Sequence, residues 1–219
     1  MSPAIDLQES VLRELRFDPR VDASKIGVTA TANGIVTLTG SVSTYTEKVA
    51  AEQAAKRVNG VRAVANDIEV FISSAGQRRD SEIAEAALNA LKARATPLGN
   101  IKITVQSGWV TLEGEVDNYF QKREAGQVIS PLAGVKGVTN NIRVRPRPVT
   151  EEDVRKQITD ALVRSARLDA RSITIPMEGS KVILECAAVH SWAEKEEAEN
   201  AAWAVPGVVE VENNLRIVP

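Results

Sequence analysis

The sequence is poor in the residues that carry catalysis. Its 219 residues include one cysteine, Cys186, and one histidine, His190. A single cysteine excludes an intrachain disulfide framework. One Cys and one His fall short of the clusters that hold structural or catalytic zinc. A nucleophile and its base need mutual geometry and an orienting third group, and Cys186 with His190 stand alone at a strand end. The pair reads as a core thiol and a surface imidazole, so no catalytic and no metal residue is assigned and no cofactor is expected. Aromatics make up only 4% of the chain. No stretch approaches the ~20 consecutive apolar residues of a membrane-spanning helix, and no phosphate-binding Gly-x-x-x-x-Gly-Lys loop occurs. The amino end, from Met1 to Asp6, has neither a basic nor an apolar leader region. The expectation is a soluble cytoplasmic chain, or a periplasmic one where a signal peptide has been removed. Strong charge of one sign is absent too: the net charge is −2 and the isoelectric point about 5.7. With neither a Gly-x-x-Gly clamp nor a ribonucleoprotein motif, this argues against nucleic acid.

What the sequence does hold is a repeat. Ile35-Val36-Thr37-Leu38-Thr39-Gly40-Ser41-Val42 aligns with Trp109-Val110-Thr111-Leu112-Glu113-Gly114-Glu115-Val116. Gly60 is followed by Val61, Val64 and Asn66; Gly134 by Val135, Val138 and Asn140; Gly207 by Val208, Val211 and Asn213. Such internal periodicity decides the architecture before any motif does. Three modules result, over residues 1–72, 79–146 and 150–219, joined by a polar linker at 73–79 and a proline-bearing one at 145–149.

Each module opens with helical spacing: Leu7, Val11, Leu12 and Leu15, then Ile83, Ala87, Leu88 and Leu91, then Val154, Ile158, Ala161 and Leu162. Alternating residues follow, broken at Asn33-Gly34, Ser107-Gly108 and Gly179-Ser180, which reads as a hairpin with a type I′ turn. A second helix begins at Thr44-Tyr45-Thr46-Glu47, Asn118-Tyr119-Phe120-Gln121 and Ser191-Trp192-Ala193-Glu194, where a small polar residue precedes Glu or Gln by three places, a capping-box pattern. The spacing predicts that these helices stop at Gly60, Gly134 and Gly207 as left-handed C-terminal glycines, and that a last alternating strand follows. The fold class is therefore α+β: three tandem α-β-β-α-β modules, each a three-stranded mixed sheet with two helices on one face.

The combination Thr-Leu-x-Gly-x-Val, an alanine-rich helix, and Gly-Val-x-x-Val-x-Asn-x-Ile-x-Val resembles the BON-domain family, named for a bacterial osmotically inducible protein and nodulation proteins. The resemblance covers nearly the whole chain. It implies no enzymatic activity, and binding to phospholipid membranes or to proteins in envelope or stress-response settings. The third copy departs from the pattern: Cys186 or Ala187 stands where Gly40 and Gly114 sit, and a bulge is expected there.

Candidate binding residues follow from the recurrent aromatic at the second helix. Tyr45, Tyr119 and Trp192 share one repeat position, with Lys48, Lys122 and Lys195 beside them. An amphipathic aromatic next to a cation suits a membrane or protein interface; equally, a recurring position can be a contact between modules. Residues 75–146 hold ten Lys/Arg against seven Asp/Glu, and this second copy adds Trp109, Phe120 and Arg123. It is the copy expected to face anionic lipid, whereas Glu194, Glu196, Glu197 and Glu199 make the second helix of copy three acidic. Gly34, Gly40, Gly60, Gly108, Gly114, Gly134 and Gly207 are read as structural. Two functions stand: peripheral phospholipid binding in an osmotic or stress response, and a protein-interaction or chaperone-like scaffold.

Overall fold

The structure, a computed structural model, describes residues 3–74, 76–93, 101–146, 150–164, 173–185 and 188–218. In the first module, helix α1 (Pro3–Phe17) leads through a short 3-10 turn to strands β1 (Ile26–Ala30) and β2 (Ile35–Val42), helix α2 (Tyr45–Arg57) and strand β3 (Ala63–Val70). The second repeats this as α3 (Asp80–Lys92), β4 (Lys102–Gln106), β5 (Trp109–Val116), α4 (Tyr119–Ile129) and β6 (Gly137–Val144). The third comprises α5 (Glu151–Arg164), β7 (Met177–Glu178), β8 (Lys181–Leu184), β9 (Ala188–Val189), α6 (Trp192–Trp203), β10 (Glu210–Asn213) and β11 (Arg216–Ile217).

In modules 1 and 2 the hairpin is antiparallel, and the last strand returns beside the second in parallel, so β2 and β5 are central. A parallel neighbour requires a crossover, and α2 or α4 supplies it. Alternation sends Val36, Leu38 and Val42 inward, where they join Val11 and Leu15 of α1, Ala51, Ala54 and Ala55 of α2, and Ile68 of β3 in one core. Each fully buried Val, Leu or Ile contributes roughly 1.5–3 kcal/mol. The small alanine face lets α2 lie close on the sheet. Each module has its own such cluster.

Several local expectations are corrected. The second helices do not run to the glycines. They end at Arg57, Ile129 and Trp203, and Gly60, Gly134 and Gly207, all with positive φ, shape the turn into the last strand instead. Only the middle hairpin has positive φ at both turn residues, Ser107 and Gly108, the type I′ signature. In module 1, Gly34 N–H donates to Thr31 O and Gly34 alone has positive φ, the longer loop with a glycine bulge. In the hairpin of module 3, of the two turn residues Gly179 and Ser180, positive φ falls only on Gly179. Leu88 lies off the buried face of α3 and is exposed. Module 3 pairs as two short sheets, β7-β8-β10 and β9-β11. Ile173 and Ile175 precede β7, connected by an isolated bridge at Thr174, because Pro176 has no N–H to continue the ladder. The expected bulge at Cys186 and Ala187 lies outside the described residues, as do linker residues 147–149.

Candidate functional site

The recurrent aromatics sit where helix capping places them. Thr44, Asn118 and Ser191 are N-caps, and their side-chain oxygens accept the N–H three residues on. Gln121 closes the box by accepting the Asn118 N–H. Glu47 and Glu194 reach one residue further back, to the N–H groups of Ser43 and His190. Glu47 also accepts the Asp22 N–H at 2.9 Å, which fixes the chain between α1 and β1. The next residue in each copy, Tyr45, Tyr119 or Trp192, is thereby turned away from its own core.

The first turn of each second helix meets the neighbouring module at one repeat position, near the end of that module's second helix. Tyr45 packs on the core of module 2, and the Thr46 hydroxyl donates to Ser130 O at 3.3 Å. Tyr119 stacks on Trp203 of module 3, centroids 4.0 Å apart and planes inclined by 10°. Trp192 packs on the core of module 1 with the Lys56 ammonium 5.3 Å from its ring centre. Lys56, Ser130 and Trp203 are equivalent in the repeat. The contacts run from module 1 to 2, 2 to 3 and 3 back to 1, a head-to-tail arrangement whose rotation closes. Burial raises the Tyr45 hydroxyl above its ordinary pKa, partly offset by a hydrogen bond with the Val138 backbone, and raises that of Tyr119 as well.

The lysines beside them differ. Lys195 donates to Leu215 O at 2.9 Å and lies within 5.8 Å of the Trp192 ring centre; burial lowers its pKa, with Glu199 opposing. Lys122 is half-buried with its pKa lowered by desolvation alone. Lys48 is partly buried and contributes its carbonyl to Asn66. Trp109 and Phe120 are not brought together: Trp109 begins β5, and Phe120 follows its far end. Trp109 lies across Gly137, with no space for a β-carbon between them, and its indole N–H donates to Thr139 at 2.8 Å. Phe120 is 60% exposed, with the Arg123 guanidinium 5.5 Å from its ring centre. Gly34 faces the Gly60 carbonyl and Gly108 the Gly134 carbonyl, so the hairpin tip and the post-helix turn touch. Gly40 and Gly114 share positive φ in mid-strand.

A residue the pattern marked without a role proves central to each module. Asn66, Asn140 and Asn213 donate to the carbonyls of Lys48, Lys122 and Lys195 at 3.3, 2.7 and 2.9 Å. Their Oδ1 atoms accept the N–H two residues on, from Ile68, Ile142 and Leu215. Among the described residues no group of three or more His, Cys, Asp or Glu could hold a metal ion, and no helix is long and apolar enough to cross a membrane. The Cys186–His190 geometry lies outside the described residues.

The family model of the BON domain matches residues 6–70, 79–146 and 150–219. The chain belongs to the BON-domain family. Each BON match takes in one α-β-β-α-β module. Osmotically-inducible protein Y of Escherichia coli (strain K12) is 28% identical over 116 residues, which cover 51% of this chain and 58% of that protein. The chain thus matches a little over half of that relative's length. Among solved structures, two of CdsD, a structural protein of the type III secretion system of Chlamydia trachomatis, are each 15% identical. One, of its C-terminal domain, covers 98% of both chains with a TM-score of 0.27; the other covers 98% of this chain and 93% of that one with a TM-score of 0.28. Superpositions at that level bear on neither fold nor function.

Proposed function

We propose that this BON-repeat protein is non-enzymatic, acts in an osmotic-stress response, and associates peripherally with anionic phospholipid through module 2. The carrying observation is Phe120, exposed at the first turn of α4 with Arg123 against its ring, on the most basic of the three modules. An exposed aromatic flanked by a cation suits the headgroup region, where the ring enters apolar material and the charge meets phosphate. Tyr45, Tyr119 and Trp192 face neighbouring modules, so Phe120 is the second-helix aromatic left to meet a surface. The likeness to an osmotically inducible protein supports the stress setting. Co-sedimentation with neutral and anionic vesicles across a salt series tests this. Binding to anionic vesicles should weaken as salt rises and fall several-fold in Phe120→Ala and Arg123→Gln. No sedimentation with anionic vesicles at low salt would remove the reading.

A scaffold role has its own support. An open groove of about 830 Å³ follows β6 to Val209 of module 3. Lys122 and Arg143 line it with no ion pair among the described residues, while Glu113 and Glu115 lie near Lys102 and Arg145, at 3.9 and 3.8 Å. An acidic segment of a partner protein suits this groove. Binding of a poly-glutamate peptide, lost in Lys122→Gln/Arg143→Gln with vesicle binding intact, would favour this reading.

A further inference from the structure

The open face of the module 2 sheet carries a depression of about 340 Å³, inside the ~300–1,000 Å³ range of small-molecule sites. Val110 and Leu112 point into the module core, so alternation turns Trp109 and Thr111 to the opposite side. The pairing register sets that side in rows: Gln106, Trp109 and Gly137, then Thr104, Thr111 and Thr139. Half-exposed Trp109 is one wall of the depression, and Thr104, Gln106, Ser107 and Thr111 form the rest.

The walls are set before any ligand arrives. The six-membered ring of Trp109 rests against Gly137 and its indole N–H is bonded to Thr139, which pins the side chain at both ends. Asp80 pins the adjoining turn by accepting the Ser107 and Gly108 N–H groups at 2.7 and 2.9 Å. The other two copies fold without such a wall. Module 1 pairs Ile35 with Ala63 at this position, and module 3 pairs Lys181 with Glu210, ion-paired at 3.3 Å. The tryptophan and the glycine that makes room for it belong to module 2 alone.

Charge complementarity selects the ligand class. No lining residue is charged, so a phosphate, carboxylate or ammonium would shed water with no opposite charge to receive it. A purely apolar ligand would strip water from Thr104, Gln106, Ser107 and Thr111, whose side chains make no hydrogen bond among the described residues. Hydroxyls and an amide both donate and accept, and the negative face of an indole attracts polarised C–H bonds. A neutral hexopyranose with equatorial hydroxyls supplies both complements, a face of axial C–H bonds and a rim of hydroxyls. A β-linkage keeps such rings in an extended ribbon that lies across an open sheet.

We propose that this face binds a neutral β-linked oligosaccharide, one sugar ring stacked on Trp109 and its hydroxyls bonded to Thr104, Gln106 and Thr111. The site is separate from Phe120, which follows the far end of β5. Calorimetric titration of the full chain with cellotetraose, with the tetramer of N-acetylglucosamine and with sorbitol tests it. One or both tetrasaccharides should bind saturably, and the tighter one identifies the sugar. Sorbitol, which has the hydroxyls but no rigid C–H face, should not bind. Trp109→Ile/Gly137→Ala installs the pair that module 1 already carries, with thermal melts to verify the fold, and should weaken binding about tenfold, the worth of an aromatic stack. Thr104→Val/Thr111→Val keeps β-branched residues in the strands and should weaken it a few-fold, whereas Phe120→Ala should leave it unchanged. No saturable heat with either tetrasaccharide, sorbitol binding as well as they do, or full affinity in Trp109→Ile/Gly137→Ala would overturn the assignment.

Discussion

Asp18 shows how much a single side chain carries. It is 6% exposed, closes α1, and accepts from Arg20 at 2.9 and 2.7 Å and from Arg57 at 2.9 Å. The Arg20 hydrogen bond above all, helped by Arg57 and opposed by burial, holds its carboxyl well below the usual carboxylate range. A depressed folded-state pKa means that the stabilisation is fully present above the unfolded value of about 3.9 and is lost as pH falls through the folded one. Asp18→Asn should therefore lose about 2–3 kcal/mol in urea melts at pH 7, the worth of hydrogen bonds to a charged group. The gap from wild type should close as the pH falls below about 4. A gap of constant size down to pH 2 would assign the loss to packing. The Arg57 contact was not legible in Phe17-Asp18-Pro19-Arg20, because Arg57 lies 39 residues away in sequence. Gly40 was legible. A β-carbon there would collide with the Lys25 carbonyl, and its φ is +123°. Gly40→Ala should unfold module 1 at lower denaturant than wild type, read by the urea midpoint, by about 1–3 kcal/mol.

At the scale of the element, the repeated asparagine links strand to helix. Asn140 ties β6 to α4 and also occupies an edge N–H that another strand would otherwise use. Edge strands expose unpaired backbone groups and invite aggregation. Asn140→Ala should cost about 1–3 kcal/mol and increase light scattering on prolonged incubation; loss of stability without association would confine the residue to the helix tie. The period of the pattern revealed the elements and their order, and the Asn position with them. It did not reveal where helices stop. Gly60 and Gly134 sit past helices already ended, because the tight turn they form is needed to bring the last strand back under the hairpin tip. Nor did alternation through Ile173 and Ile175 show that Pro176 would shorten the strand, since side-chain spacing says nothing about a missing N–H.

For the whole molecule, the modules were legible and their arrangement was not. Tyr45, Tyr119 and Trp192 form a visible series, but the surfaces that receive them centre on Lys56, Ser130 and Trp203, three unlike residues with no common pattern. The likeness of one half of the contact concealed the other. Tyr119→Ala removes the stack on Trp203, an aromatic pair worth about 0.5–1.5 kcal/mol beyond its buried area. It should leave the helical content of each module unchanged while the radius of gyration by X-ray scattering rises. An unchanged radius would show that the remaining contacts hold the ring without it. The contact of Trp192 with module 1 joins parts of the chain well over a hundred residues apart, yet it forms within one molecule. Tethering of this kind presents one surface to the other at an effective concentration of millimolar order, so an attraction far too weak to join separate chains suffices to close the circle. One peptide-bond cleavage between modules 2 and 3 withdraws that advantage, and module 3 then depends on dilution as any weak ligand does.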